Sequence, residues 1–361
     1  MQALTKRAAI LSAVALTAAV LAQSTAAVTA AAPGTSAPDR SSVAGLAFAS
    51  SKYLTTTLTP KAEARLDAAA VWGGPFTAPT GETVNVFLSD TYPQNPATAQ
   101  HWVDFIASLA HGREIAQVQA YILPLREVQT YCGRQALACY SPGRGMLVTP
   151  GENPSPDASA EGILAHEYGH HLASSRNNTP FSAVDYGTKR WATYLQVCAR
   201  TVKGEFFPGD ETVPNYRLNP GEGFAEAYRV LNERRLGLME SSWSIVSTAF
   251  QPDATALALL EQDIVQPWTA PTTRVLRGKN TRTYTIATPL DGTLVARAAA
   301  SGKKTRYRLD VAPTGSATSR KTTAAGGSVA TRATICGQRS VRVKVTRTSG
   351  TGGYTLTVST A

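Results

Sequence analysis

Glu161-Gly-Ile-Leu-Ala-His166-Glu167-Tyr-Gly-His170-His171-Leu172 contains the pattern His-Glu-x-x-His. On a helix that spacing sets two imidazoles one turn apart on the same face, where they can share one Zn²⁺, and it puts the intervening Glu167 beside a water on that cation. A helix is the expected context: Ser155, Asp157 and Ser159 offer N-caps, and neither proline nor a β-branched run interrupts 158–173. An amphipathic core helix with two hydrogen-bonded histidines would show the same letters. What separates the two readings is a third protein ligand, which a catalytic zinc needs in order to leave its fourth position for water.

Glu222 and Glu226, 52 and 56 residues beyond His170, supply a candidate. They lie at i and i+4 on a helix opened by Pro220 and Gly221, among Phe224, Ala225 and Ala227. Like charges at that spacing repel on a solvated face, and the apolar neighbours mark a buried helix. Glu222, nearer the helix start, is therefore the expected metal ligand with His166 and His170. Glu226 is expected to hold the free ring nitrogen of a ligand histidine. His171 points about 100° away from His170 around the helix and reads as supporting or structural. His101 and His111 bracket an earlier helix and read as surface or helix-end residues.

Outward from this centre, 361 residues with 43% apolar content suggest two or three domains with real cores. Lys6-Arg7, the apolar stretch 8–22 and the Ala-rich run that follows read as a secretory signal over 1–30. An Ala/Ser/Thr/Pro-rich tether is expected over 31–55, then a metal-binding domain over 56–268 and a β-domain over 272–361. An exported, secreted protein accommodates the four cysteines as disulfides. Cys132 and Cys139 flank a short loop and favour a local bridge, leaving Cys198 and Cys336; three connectivities remain open.

Within 56–268, residues 83–88 and 118–123 read as strands. Trp102, Phe105, Ile106 and Leu109 form one helical face stopped by Gly112. Trp191, Leu195, Cys198 and Val202 predict one long helix ending at Gly204, and 253–265 predicts a last helix. Met146, Leu147 and Val148 read either as an internal strand or as a sheet edge on which an extended substrate could pair. From residue 272, short alternating strands such as 307–311, 341–345 and 354–358 predict a small antiparallel sandwich.

Charge is divided unevenly. From residue 271 onward there are 16 Lys and Arg against Asp291 and Asp310, a net of +14, whereas the remainder carries 19 basic and 23 acidic residues, a net of −4. A basic tail domain suits an anionic cell-wall or membrane surface, or solubility alone. No nucleic-acid motif accompanies it, so no specific nucleic acid is expected, and nothing in the pattern calls for more than a monomer.

With these motifs in place, the chain resembles a zincin of the gluzincin type. The resemblance rests on His166-Glu167-Tyr-Gly-His170 and on Asn219-Pro-Gly-Glu222-Gly-Phe-Ala-Glu226-Ala-Tyr228, which is similar to the Glu-x-x-Ala-Glu helix of lethal-factor-like zinc proteases. The Asn-Glu-x-x-x-Asp variant of thermolysin-like enzymes is not matched. The carboxy-terminal strands resemble a pre-peptidase carboxy-terminal β-domain. The resemblance implies an α+β zincin-like body, with a mixed sheet over the metal-binding helix, followed by a small all-β sandwich.

The expected chemistry is hydrolysis of a protein or peptide substrate, with Zn²⁺ on His166, His170 and Glu222 and Glu167 as general base. Tyr216, six residues before Glu222, is the candidate donor to the oxyanion, with Tyr228 the runner-up. Two alternatives share these residues: zinc hydrolysis of a non-peptide amide, and a surface-binding protein whose zinc site is only structural.

Overall fold

The computed structural model describes residues 54–313 and 317–361, so the expected signal and all but the last two residues of the expected tether lie outside the described residues. Those two, Leu54 and Thr55, belong to a strand instead. The elements are β1 (Leu54–Thr57), α1 (Pro60–Asp67), β2 (Val71–Thr77), β3 (Thr83–Ser89) and α2 (Pro96–Ser108). There follow β4 (Gln119–Leu123), α3 (Leu125–Cys132), β5 (Ala136–Ser141), β6 (Met146–Pro150) and α4 (Ala160–Ser174). Next come α5 (Ala183–Tyr186), α6 (Lys189–Tyr194), α7 (Val197–Val202), α8 (Pro220–Leu236) and α9 (Ala254–Val265). None of the described helices is long and apolar enough to cross a membrane.

The first six strands form one mixed sheet in the order β1-β5-β6-β4-β3-β2. Helix α4 lies against it and α8 lies against α4. The architecture is thus α+β with a mixed sheet, as expected. Trp102, Ile106, Val86, Leu147, Leu164, Tyr168, Phe224 and Tyr228 belong to one buried cluster shared by sheet and helices. Burial of this kind stabilises by about 1.5–3 kcal/mol for each large apolar side chain.

Two readings need correction. Met146, Leu147 and Val148 do not form a sheet edge: β6 pairs in parallel with β4 on one side and antiparallel with β5 on the other. All three side chains are fully buried, and their backbone groups already have partners on both sides. The long helix expected through Trp191 and Val202 is two short ones. Gln196 between them takes φ 54°, a left-handed conformation that ends α6 and starts α7 in a new direction. Trp191 is fully buried on one side of that break, whereas Val202 is 78% exposed on the other. In a smaller revision, α2 stops at Ser108, before the expected Gly112, because Leu109 is already extended.

Beyond α9 the chain is all strand: β7 (Thr272–Gly278), β8 (Arg282–Ala287), β9 (Gly292–Ala300), β10 (Arg306–Pro313), β11 (Ser319–Thr322), β12 (Ser328–Ile335), β13 (Ser340–Ser349) and β14 (Tyr354–Thr360). They make two four-stranded antiparallel sheets, β11-β10-β13-β8 and β12-β9-β14-β7. Leu309, Val343 and Val345 of the first share a core with Leu294, Leu356 and Val358 of the second. The period-2 alternation explains this: residues 341, 343 and 345 are buried, while Arg342 and Lys344 between them are exposed.

The sandwich is fixed to α6 and α7. Buried Lys189 donates to the carbonyls of Asn178, Thr179 and Asp291 at 3.3, 2.8 and 3.0 Å. Arg339 pairs with the Asp291 carboxylate at 2.9 Å and donates to the Thr193 carbonyl at 3.2 Å. The cysteines resolve into Cys132–Cys139 within the body and Cys198–Cys336 between α7 and the end of β12, with Cα separations of 5.6 and 5.2 Å.

Candidate metal centre

Helix α4 begins where Ser159 accepts a hydrogen bond from the Gly162 amide at 2.9 Å, which selects one of the three possible caps. From there His166 and His170 fall one turn apart, their ring centroids 5.0 Å from each other. Helix α8 begins at Pro220 with Asn219 as its cap, so that Glu222 sits in its first turn. The two helices approach very closely, and Gly169 allows it: a Cβ there would lie 2.8 Å from the Ala225 Cα. The glycine inside the His-Glu-x-x-His pattern is therefore a packing requirement.

The approach brings the expected ligands together. His166 Nε2 lies 3.3 Å from Glu222 Oε2, and His170 Nε2 lies 3.5 Å from Glu222 Oε1. One ligand atom from each of the three residues can be chosen so that all lie within 4.8 Å of one another. Donors about 2.0–2.1 Å from a tetrahedral ion stand roughly 3.3 Å apart, which the two His–Glu222 separations approach, so these three residues could hold a metal ion. His166 Nδ1 faces Glu226 Oε2 at 3.0 Å. With a proton on Nδ1 donated to that carboxylate, Nε2 is left as a lone-pair donor toward the other ligands.

Glu226 is itself held in place. Arg229, one turn on, donates from Nε and Nη2 to its two oxygens, both at 2.8 Å, and reaches Glu233 with Nη1 at 2.5 Å. This support was missed in the sequence, although the i,i+3 and i,i+4 spacing of 226, 229 and 233 is the available signal.

The electrostatics favour a cation. Burial disfavours charge on His166, yet the Glu222 and Glu226 carboxylates outweigh it and raise the imidazole to about 10. Burial likewise opposes ionisation of Glu222, but the His170 and His166 rings hold its carboxyl well below the usual range. Glu226 is also buried, and Arg229 nonetheless brings it down to about 2. A ligating imidazole is neutral, so a metal ion held between these donors would replace the proton that the carboxylates otherwise draw onto His166.

Glu167 is fully buried and neither carboxylate oxygen has a hydrogen-bond partner in the described structure. Burial pushes its carboxyl up to about 7, the range suited to a group that takes up and returns a proton near neutrality. A buried carboxylate without a partner, beside three convergent donors, is unusual enough to call for a role.

Tyr216 reaches the centre from a 3₁₀ turn, Asn215–Leu218, and its hydroxyl donates to Glu222 Oε2 at 2.7 Å. Tyr228, the runner-up, is not at the site: its hydroxyl donates to the Ala110 carbonyl at 2.6 Å, and its ring stacks on Tyr168. His171 faces the sheet, with Nε2 2.8 Å from the Glu114 carbonyl and Nδ1 3.2 Å from the Tyr140 hydroxyl. Tyr140 of β5 was not anticipated; its ring lies parallel to His170 at 6.3 Å. His101 is exposed beside Glu161, and His111 lies near Glu82, both remote in role from the metal ligands.

No protein-family model matches the chain. No curated protein matches it. Among solved structures, a mitogen from Yersinia pseudotuberculosis is 16% identical over 26% of this chain and 85% of its own, with a TM-score of 0.19. RmlC from Streptococcus suis is 11% identical over 26% of this chain and 45% of its own, at 0.18. PliG, a periplasmic lysozyme inhibitor from Aeromonas hydrophila, is 14% identical over 25% and 83%, at 0.17. At these scores the likenesses carry no argument about fold or function.

Proposed function

We propose that this protein is an exported zinc-dependent peptidase of the zincin kind, with His166, His170 and Glu222 as ligands and Glu167 as general base. The observation that carries the reading is the convergence of those three donors beside a buried carboxylate without a hydrogen-bond partner. Zinc bound there supplies a Lewis acid for the scissile carbonyl and a water of lowered pKa. Glu167 accepts the proton of the attacking water and returns it to the amine as the peptide C–N bond breaks. Glu226, clamped by Arg229, orients His166. Tyr216, whose hydroxyl donates to Glu222, would turn that hydroxyl toward the developing oxyanion. The two disulfides fit an oxidising compartment and so agree with an exported chain.

The test is Glu167→Gln in the full chain. Zinc stays bound, and hydrolysis of a denatured protein substrate falls about 10²–10⁴-fold; unchanged turnover would overturn the assignment.

A second reading has one observation of its own. The outer faces of the sandwich carry exposed Arg297, Arg332, Arg342 and Lys344, so residues 271–361 offer a positive surface for anionic cell-wall polymer or membrane. If that surface were the whole function, the full chain would bind such a surface in a salt-dependent way, hold zinc structurally and cleave no peptide.

A further inference from the structure

His166, Glu167, His170 and Glu222 are each no more than 8% exposed, although a hydrolytic centre has to admit an extended chain. The strand bordering it is β5. Leu137 and Ala138 of β5 pack on Ile163 of α4, and Tyr140 lies against His170. One edge of β5 is paired to β6. Among the described residues the other is covered by β1, which pairs there in parallel from Leu54 opposite Ala136 to Thr57 opposite Tyr140, and the Leu58 amide donates to the Tyr140 carbonyl at 2.9 Å.

The end of β1 is latched to the metal side of the molecule. The Thr57 amide donates to the Glu211 carboxylate at 3.2 and 3.3 Å, and the Thr57 hydroxyl donates to it as well. Glu211 leads into the turn that presents Tyr216, and it is near enough to Glu167 to add to the negative field there. Just beyond the latch, Leu58 is 4% exposed and Thr59 caps α1. Residues from 58 onward are thus anchored in the core, whereas β1 itself is held by backbone pairing and one exposed carboxylate.

We infer that β1 is a ligand held in cis: the outer edge of β5 is a binding edge for an extended peptide, and Leu54–Thr57 occupies it, so that an incoming peptide competes with this strand and turnover in the full chain is slowed until it is displaced. A sheet edge is a row of unpaired N–H and C=O groups that accepts any extended backbone, and the bonds β1 makes to it ask nothing of its own side chains. The described part of β1 is held by backbone pairing along one side and by a single exposed carboxylate at its end, so it can be exchanged for another strand at small cost. The inference rests on the peptidase reading for what the peptide is for, but not for the binding itself.

The experiment uses the full chain, wild type and Thr57→Val/Glu211→Ala, with two readouts that need no metal. Hydrogen exchange follows 54–58 and 136–141, and fluorescence anisotropy follows a labelled synthetic peptide with the sequence of residues 52–58. In the double variant, exchange over 54–57 should rise at least about tenfold, and the peptide should bind at least about tenfold more tightly than to wild type and restore protection over 136–141. Zinc-loaded turnover, if present, should rise in parallel. Peptide binding without any hydrolysis would support the occupied edge and remove the peptidase reading. A β1 that stays protected in the double variant, or one that exchanges freely while the peptide fails to bind, would overturn the inference.

Discussion

In the helical cradle, Glu167, Glu226, Arg229 and Glu233 are at most 3% exposed, and Arg229 is tied to two carboxylates at once. In the sandwich, Arg297, Arg332, Arg342 and Lys344 stand in water, and even the pair Arg320–Asp310 has its arginine 62% exposed. Buried charge fixes geometry, because every partner removed leaves another charge stranded in low dielectric. Exposed charge sets a field, and any one member of it is replaceable. The same residue types therefore serve position in one half of the molecule and net potential in the other.

The largest effect that can break this contrast is at Arg229. Arg229→Met strands Glu226 and Glu233, and we expect about 3–5 kcal/mol of lost stability in chemical denaturation, together with weaker zinc retention. Next is the staple between the halves: replacing Cys198 and Cys336 by serine opens a link between positions 138 residues apart, with an expected loss of about 2–4 kcal/mol read in the same way. Gly169→Ala should cost about 1–3 kcal/mol by overpacking α4 on α8, again without touching a ligand.

A pH series sharpens the contrast further. Burial raises the Glu114 carboxyl, but the Arg176 guanidinium and the Gly112 amide outweigh it and hold it below the usual range. A carboxyl lower in the folded chain than in the unfolded one, where it titrates near about 4.3, contributes stability above that value. The contribution is lost as pH falls through the depressed folded value. Tm should therefore decline below about pH 4, and the Glu114→Gln variant should show a shallower decline. The smallest effect is expected at Lys344→Ala, within about 0.5 kcal/mol of wild type.

Much of the centre could be read directly because helical spacing is local. The i,i+4 relations of His166 with His170 and of Glu222 with Glu226 need no knowledge of the rest of the chain. The sandwich strands were legible for the same reason, by alternation. Order within a sheet is not local: nothing in 146–148 tells that β5 turns back and covers β6, so interior strand and edge stayed equally open until the pairing decided for the interior. Gln196 carries no turn signal either, since glutamine has no preference for the left-handed region it occupies there. The place of the Tyr140 ring beside His170 and the seat of β1 were hidden behind long-range pairing of the same kind.

In the proposed centre, two imidazoles from α4 and one carboxylate from α8 hold a single cation. Metal analysis of the purified full chain beside His170→Ala, Glu222→Ala and Glu167→Gln tests it most directly. About one zinc per chain is expected in the wild type and in Glu167→Gln, since tetrahedral sites of this kind use three protein ligands, with most of it lost from the other two. A wild-type chain without metal in zinc-containing buffer, or zinc retained in full by Glu222→Ala, would contradict it.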